Sequence, residues 1–260
     1  MGGMEIAEHV DALRDEGAAL AEAADKAGLD TAVPPCPGWT VADLLRHTGY
    51  VHRWAARNVA ERPARVFDDD TEEQVLSSGP DDERLIPWFR DGHAALVATL
   101  SAADPAGTYP VFLPNRASPL AFWARRQAHE TAIHRADAQF AAGQVPVYDK
   151  DFAADGIDEM ISGFAARSKR PPEGALGRSL IVRSSDTGEA WRIAWPAEQG
   201  TRGTCERAGP DARADCVLTG PAEGLYLLLW NRRDPVKAGV ATEGDPAVAA
   251  AWREFQIRWS

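Results

Sequence analysis

The sequence predicts a mixed architecture, an up-and-down four-helix bundle followed by a smaller α+β domain. Three observations carry this. Up to about residue 143 the apolar residues recur at gaps of three and four, the spacing of one helical face. Segments rich in proline and glycine, which end helices, part these stretches. After about Tyr148 the long periodic runs give way to short apolar runs separated by turn signals, the pattern of strands.

The first helix places Ile6, Val10, Leu13, Leu20 and Ala24 on one stripe, with Gly17 filling the missing position, and ends at Gly28. The breaker segment PPCPGW follows. Thr40 then caps a second helix, with Asp43 in the acid position of a capping box. Leu44, His47, Val51 and Trp54 share its inner face, so a histidine lies on the stripe that turns toward the core. A third helix is expected from about Asp82 to Ala102, burying Leu85, Phe89, Leu96 and Leu100. The fourth starts at Ser118–Pro119, a cap followed by a first-turn proline, and runs to the Gly143 region. Its inward stripe, Trp123, Gln127, Glu130, His134, Asp137 and Ala141, is unusually polar.

In the second half, a short helix from Phe152 to Arg167 leads through KRPPEG into SLIVRSS and AWRIAWP, two strands joined by a turn at DTGE. ADCVLTG reads as another strand. A helix through PAEGLYLLLWNRR and a last helix from Val248 to Trp259 complete the chain. The domain boundary falls between residues 143 and 151, which gives domains 1–147 and 148–260.

The 260 residues, 45% hydrophobic and 26% charged, suffice for one large core or two smaller ones. Lysine and arginine total 28 against 39 acidic residues, a net charge of -11, the wrong sign for wrapping nucleic acid. The three cysteines, Cys36, Cys205 and Cys216, show no zinc-ribbon or redox spacing, and the N-terminus lacks the basic and apolar regions of a secretory signal. A cytoplasmic protein without a membrane segment and without an obligate protein partner is expected. There is no P-loop, dinucleotide fingerprint or nucleophile elbow.

The chemistry concentrates in RRQAHETAIHRAD. Glu130 and His134 are four apart and project from one helical face, roughly 5 to 6 Å from each other, so both reach one ion. This is not the zincin pattern, because His129 and His134 are five apart and point to different sides; His129 is expected at the second shell or the surface. The third ligand must come from another helix, and His47 is the histidine elsewhere that lies on a clearly apolar face. Two imidazoles and a carboxylate suit zinc, ferrous iron or nickel and leave a coordination position for another ligand. Asp137, one turn beyond His134, is placed to accept the other ring N–H. Each residue alone has an ordinary reading, a hydrogen-bonded core histidine or a solvated Glu–His pair; the three together on facing bundle helices favour a ligand set. Arg125, Arg126, Arg232 and Arg233 read mostly as solvated charges, those after LYLLLW at a helix C-terminus. Trp39, Trp54, Trp123 and Trp230 read as packing residues, and Cys36 as structural.

Two of these blocks resemble the mycothiol-dependent maleylpyruvate isomerase family, whose metal-binding domain is a DinB-like four-helix bundle. CPGWTVADLLRHTGYVHRW is similar to the family's Pro-Gly-Trp-Thr turn and first ligand helix, and matches the ligand histidine to His47. WARRQAHETAIHRADA is similar to its second ligand helix and matches Glu130 and His134. DGIDEMI and ADCVLTGPAEGLYLLLWNRRDP resemble, more loosely, its sterol carrier protein-like C-terminal domain. There the family commonly has tryptophan, glycine, arginine, where this chain has Trp230, Asn231 and Arg232.

The resemblance implies a divalent metal, zinc foremost with nickel or iron as alternatives, held by His47, Glu130 and His134. It also implies mycothiol, the low-molecular-weight thiol of actinobacteria, as cosubstrate, with Arg232 and Arg126 as its candidate contacts. The partners would be that thiol and a small electrophile, joined by thiolate addition in a cis–trans isomerisation or by lasting S-transfer. Two other classes share these residues: a small-molecule binding protein with a structural metal, and a metal-dependent hydrolase that needs no thiol.

Overall fold

Four long helices build the N-terminal part of the chain: α1 (Ile6–Ala27), α2 (Val41–Glu61), α4 (Leu85–Ala102) and α5 (Pro119–Ala141). A short helix α3 (Glu72–Leu76) interrupts the α2–α4 connection. The computed structural model describes residues 4–68, 70–77, 79–113 and 118–255, in two units, Met1–Pro146 and Val147–Ser260. In the first unit α1 packs chiefly on α5 and α4, and α2 on α4 and α5. The two helices that follow one another in sequence, α1 and α2, therefore lie across the bundle from each other, and α2 and α5 face one another directly.

Small residues let α1 and α5 approach closely. Ala21 and Ala24 on α1 and Ala124, Ala128, Ala132 and Ala136 on α5 are all buried. Helix α5 is enclosed on nearly every side, with Arg126, Gln127, His129, Thr131 and Asp137 all 0% exposed. Charged groups this deep must be paired. Arg135, also buried, pairs with Glu16 of α1.

His47 is accompanied by other inward histidines that the apolar stripes did not single out. His9, His52 and His93 are buried too. The His52 Nε2 atom lies 2.9 Å from Thr131 Oγ1, and His93 Nε2 donates to the Leu13 carbonyl at 2.9 Å. His129 is fully buried, its ring 6.1 Å from that of His9 and edge-on to it, which rules out the surface position that was one of its two expected places. The reason is that α1, which carries His9, packs on α5 at this position.

The second unit opens with α6 (Lys150–Asp158), which continues as a π-helical segment (Glu159–Phe164) and a 3-10 turn (Ala165–Arg167). A mixed five-stranded sheet follows, in the order β3-β2-β1-β4-β5, built from β1 (Ser179–Ser184), β2 (Ala190–Ala194), β3 (Thr204–Arg207), β4 (Cys216–Gly220) and β5 (Ala241–Gly244). Only β1 and β4 run parallel, in register Leu180–Cys216 through Ser184–Gly220. The central strands are buried, whereas β5 is exposed throughout and β3 nearly so. Helix α7 (Ala222–Leu229) is buried along its whole length, followed by α8 (Pro235–Ala238) and α9 (Pro246–Trp252). The expected last helix thus starts two residues early and ends at Trp252; its final residues, 256–259, lie outside the described residues. Among the described residues no helix is long and apolar enough to cross a membrane.

Candidate metal centre

The capping box sets the start of α2. Asp43 Oδ2 accepts from the Thr40 N–H at 2.8 Å, and Thr40 Oγ1 accepts from the Asp43 N–H at 3.3 Å. The helix then turns His47 inward, its side chain 18% exposed. On α5, Ser118 caps through its Oγ, which accepts the Ala121 N–H at 3.2 Å, and Pro119 occupies the first turn. Three turns on, Glu130 and His134 face α2.

Sequence spacing and structure agree on where these three side chains go. Glu130 Oε1 lies 3.3 Å from Nε2 of His134 and 3.4 Å from Nε2 of His47. The three ligand atoms all lie within 4.8 Å of one another. Tetrahedral ligands at about 2.1 Å from a zinc-like ion are about 3.4 Å apart, so the donor set fits a small divalent cation.

Around this core the polar groups are ordered. His134 Nδ1 donates to Asp137 Oδ2 at 2.9 Å, which leaves Nε2 facing Glu130. Arg126 is 0% exposed and its Nη2 donates to Glu130 Oε2 at 3.0 Å. Arg126, expected above as a solvated charge or a contact of the thiol, is thus buried and bonded to Glu130. Cys36 Sγ donates to the same Asp137 oxygen at 3.5 Å.

The proline-rich loop contributes a wall to the centre. Trp39 N–H donates to the Cys36 carbonyl at 3.0 Å, with Gly38 at φ 89°, the arrangement of a type II turn with Pro37 and Gly38 at its middle positions. That turn lays the Trp39 ring 5.0 Å from the His47 ring and 6.4 Å from the His134 ring, nearly parallel to the latter. Trp39 therefore belongs to the site, whereas Trp54 and Trp123 pack in the core 5.3 Å apart, as expected. The Pro-Gly-Trp order was the available signal for Trp39, since only a tight turn brings a loop indole back onto the helix it precedes.

Electrostatics separate the two imidazoles. Burial pushes His47 below the ordinary histidine value, outweighing its hydrogen bond to Glu130. Burial acts the same way on His134, but the hydrogen bonds to Asp137 and Glu130 and their charges overcome it and push His134 up to about 9. Burial would raise the Glu130 carboxyl; the bonds to both histidines and the nearby cationic groups instead hold it well below the usual range. Without a cation the centre is a carboxylate, a neutral imidazole and an imidazolium. A cation held at the shared point would have to take the place of the His134 Nε2 proton.

Residues 10–139 match the family model of the mycothiol maleylpyruvate isomerase N-terminal domain, and residues 151–251 match that of the MDMPI C-terminal domain. The chain belongs to the mycothiol maleylpyruvate isomerase family. The family's fold is also that of two solved structures. A crystal structure of a histidine-to-alanine mutant of the mycothiol-dependent maleylpyruvate isomerase aligns at TM-score 0.66 and 13% identity, covering 94% of this chain and 96% of that one. The structure titled simply as that enzyme aligns at TM-score 0.64 and 14% identity, with the same coverage. No curated protein matches the chain in sequence.

Family membership gives meaning to the turn after α7. Asn231, at φ 60°, is left-handed, the conformation that glycine adopts freely and asparagine tolerates best among the others. The Asn231 N–H donates to the Leu228 carbonyl at 2.9 Å and the Arg232 N–H to the Leu227 carbonyl at 2.8 Å, closing a Schellman motif. Asn231 thus closes the turn at the position where the resemblance led us to expect glycine. Arg232 is half-buried and its Nη1 donates to the Trp230 carbonyl at 2.9 Å, while Arg233 pairs with Glu223 at 3.0 Å.

Proposed function

We propose that this chain is an enzyme that activates mycothiol at a divalent metal, zinc foremost, held by His47, Glu130 and His134, and adds the thiolate to an activated cis alkene. The single observation carrying this reading is the convergence of two histidine Nε2 atoms on one oxygen of Glu130, within a family named for thiol-dependent isomerisation. A cation held by these three residues would supply a Lewis acid, which favours thiolate over thiol.

The chain's own residues do the rest. Glu130 offers Oε1 between the imidazoles while Arg126 occupies Oε2. Asp137 fixes the ring orientation of His134. Trp39 covers one side of both imidazoles and limits the approach of bulk water. In isomerisation of the maleylpyruvate type, a carbon–sulfur bond forms at one alkene carbon, the remaining carbon–carbon single bond rotates, and the carbon–sulfur bond breaks to release the trans product and the thiol. Retention of that bond, with a proton added to the neighbouring carbon, is the S-transfer outcome of the same first step.

The test has two stages. Protein purified without chelator is expected to hold about one divalent ion per chain, and His47→Ala to lose most of it; a chain that takes up neither zinc nor nickel removes the proposal. Titration of the zinc-loaded protein with mycothiol should then show saturable binding that Glu130→Ala abolishes.

A further inference from the structure

The two oxygens of Glu130 face different partners. Oε1 faces the two histidines at 3.3 and 3.4 Å. Oε2 accepts from Nη2 of Arg126 at 3.0 Å, and that guanidinium is 0% exposed. Arg126 stands one turn earlier on α5, so the backbone of a single rigid helix fixes the pair.

Resting on the triad reading above, we infer that Arg126 is a positioning residue that confines Glu130 to one-oxygen ligation. A carboxylate beside a divalent ion binds through one oxygen or both. The choice depends on what else competes for the second oxygen. A guanidinium is always charged, and its planar fork bonds carboxylates with fixed geometry. The guanidinium is 0% exposed, so moving Oε2 onto a cation would draw a carboxylate oxygen away from a buried positive charge. One-oxygen ligation in turn keeps a coordination position available for a sulfur ligand. Arg126 thereby acts on the thiol through Glu130, without touching it.

A merely structural Arg126, present to neutralise Glu130, would alter stability when replaced and leave the ligand count unchanged. Cobalt(II) loaded into the full chain separates the two, because its visible absorption weakens as the coordination number rises. For Arg126→Met, the expected result is at least a two-fold drop in cobalt absorbance and a change in cobalt affinity of about ten-fold or more by chelator competition. Arg126→Lys, which keeps the charge and one donor, should return both values toward wild type. A folded Arg126→Met protein with wild-type absorbance and affinity overturns the inference. If that variant does not fold, X-ray absorption or a crystal structure of the zinc-loaded wild type decides: one Glu130 oxygen at bonding distance supports it, two overturn it. A wild-type chain that takes up no cobalt or zinc instead removes the triad reading on which the inference rests.

Discussion

Cation uptake should release one proton, and the source of that proton is His134. In the metal-free chain its two ring N–H groups donate to Asp137 at 2.9 Å and toward Glu130 at 3.3 Å, and the group is pushed up to about 9. Near neutral pH almost every molecule carries this proton, whereas His47 is lowered and Glu130 already ionised. One ion entering therefore displaces about one proton, and affinity should rise about ten-fold, or ~1.4 kcal/mol, per pH unit. Work at about pH 6 or below, a full unit under the pKa near 7 of a zinc-bound water in open sites, limits any added proton from that source. Calorimetric titration of zinc into the apo chain, in two buffers of different ionisation enthalpy, counts the protons directly. Asp137→Asn keeps an acceptor for Nδ1 without the charge, and its count should fall. A heat of binding independent of buffer, with affinity flat across this range, would refute the reasoning.

Other expectations follow from the same geometry. Because His134 lies above its ordinary value of 6.5, its contribution to apo-chain stability is complete below that pH and is lost as pH rises through about 9; thermal unfolding with and without zinc should show this decline only in the apo chain. Gly17→Ala gains up to about 1 kcal/mol of helix propensity, but its methyl would meet His93 Nε2 at 2.3 Å and break the bond to Leu13. The clash wins, and denaturant unfolding should show a net loss of about 1–3 kcal/mol. Asn231→Ala should cost about 1 kcal/mol, because alanine resists φ 60°, and Asn231→Gly should be neutral or slightly stabilising; equal stability of all three would contradict the left-handed turn. Gly224→Ala would push a methyl to 2.0 Å from the Ala238 carbonyl oxygen and should separate α7 from α8, read as a lower unfolding midpoint.

The candidate ligand set was legible because its residues defied their surroundings: polar groups on a stripe whose spacing points inward must be paired, bonded or ligating. His47 stood out on an otherwise apolar face in the same way. The pairing of Arg126 was less visible, since a spacing of four shows that it reaches Glu130 but not that solvent is excluded around both. His52 and His93 escaped notice because their partners, Thr131 and the Leu13 carbonyl, lie on other helices. The strands TCER and ATEG carry no apolar alternation, as suits exposed sheet edges, and only pairing with β2 and β4 makes them strands. The helices themselves followed from gaps and caps, but their order around the bundle depends on contacts between segments far apart in the chain.

That order bears on how the protein is made. Helix α1 leaves the ribosome first, and its main packing partner, α5, is the last helix of the unit to appear. The first rod must wait, with the face that α5 covers still open, for synthesis of almost the entire unit. When α5 arrives it carries Glu130, His134 and Asp137 with it. Closure of the interior and the meeting of Glu130 and His134 with His47 would therefore come together and late, and a nascent chain stalled before that point would have neither.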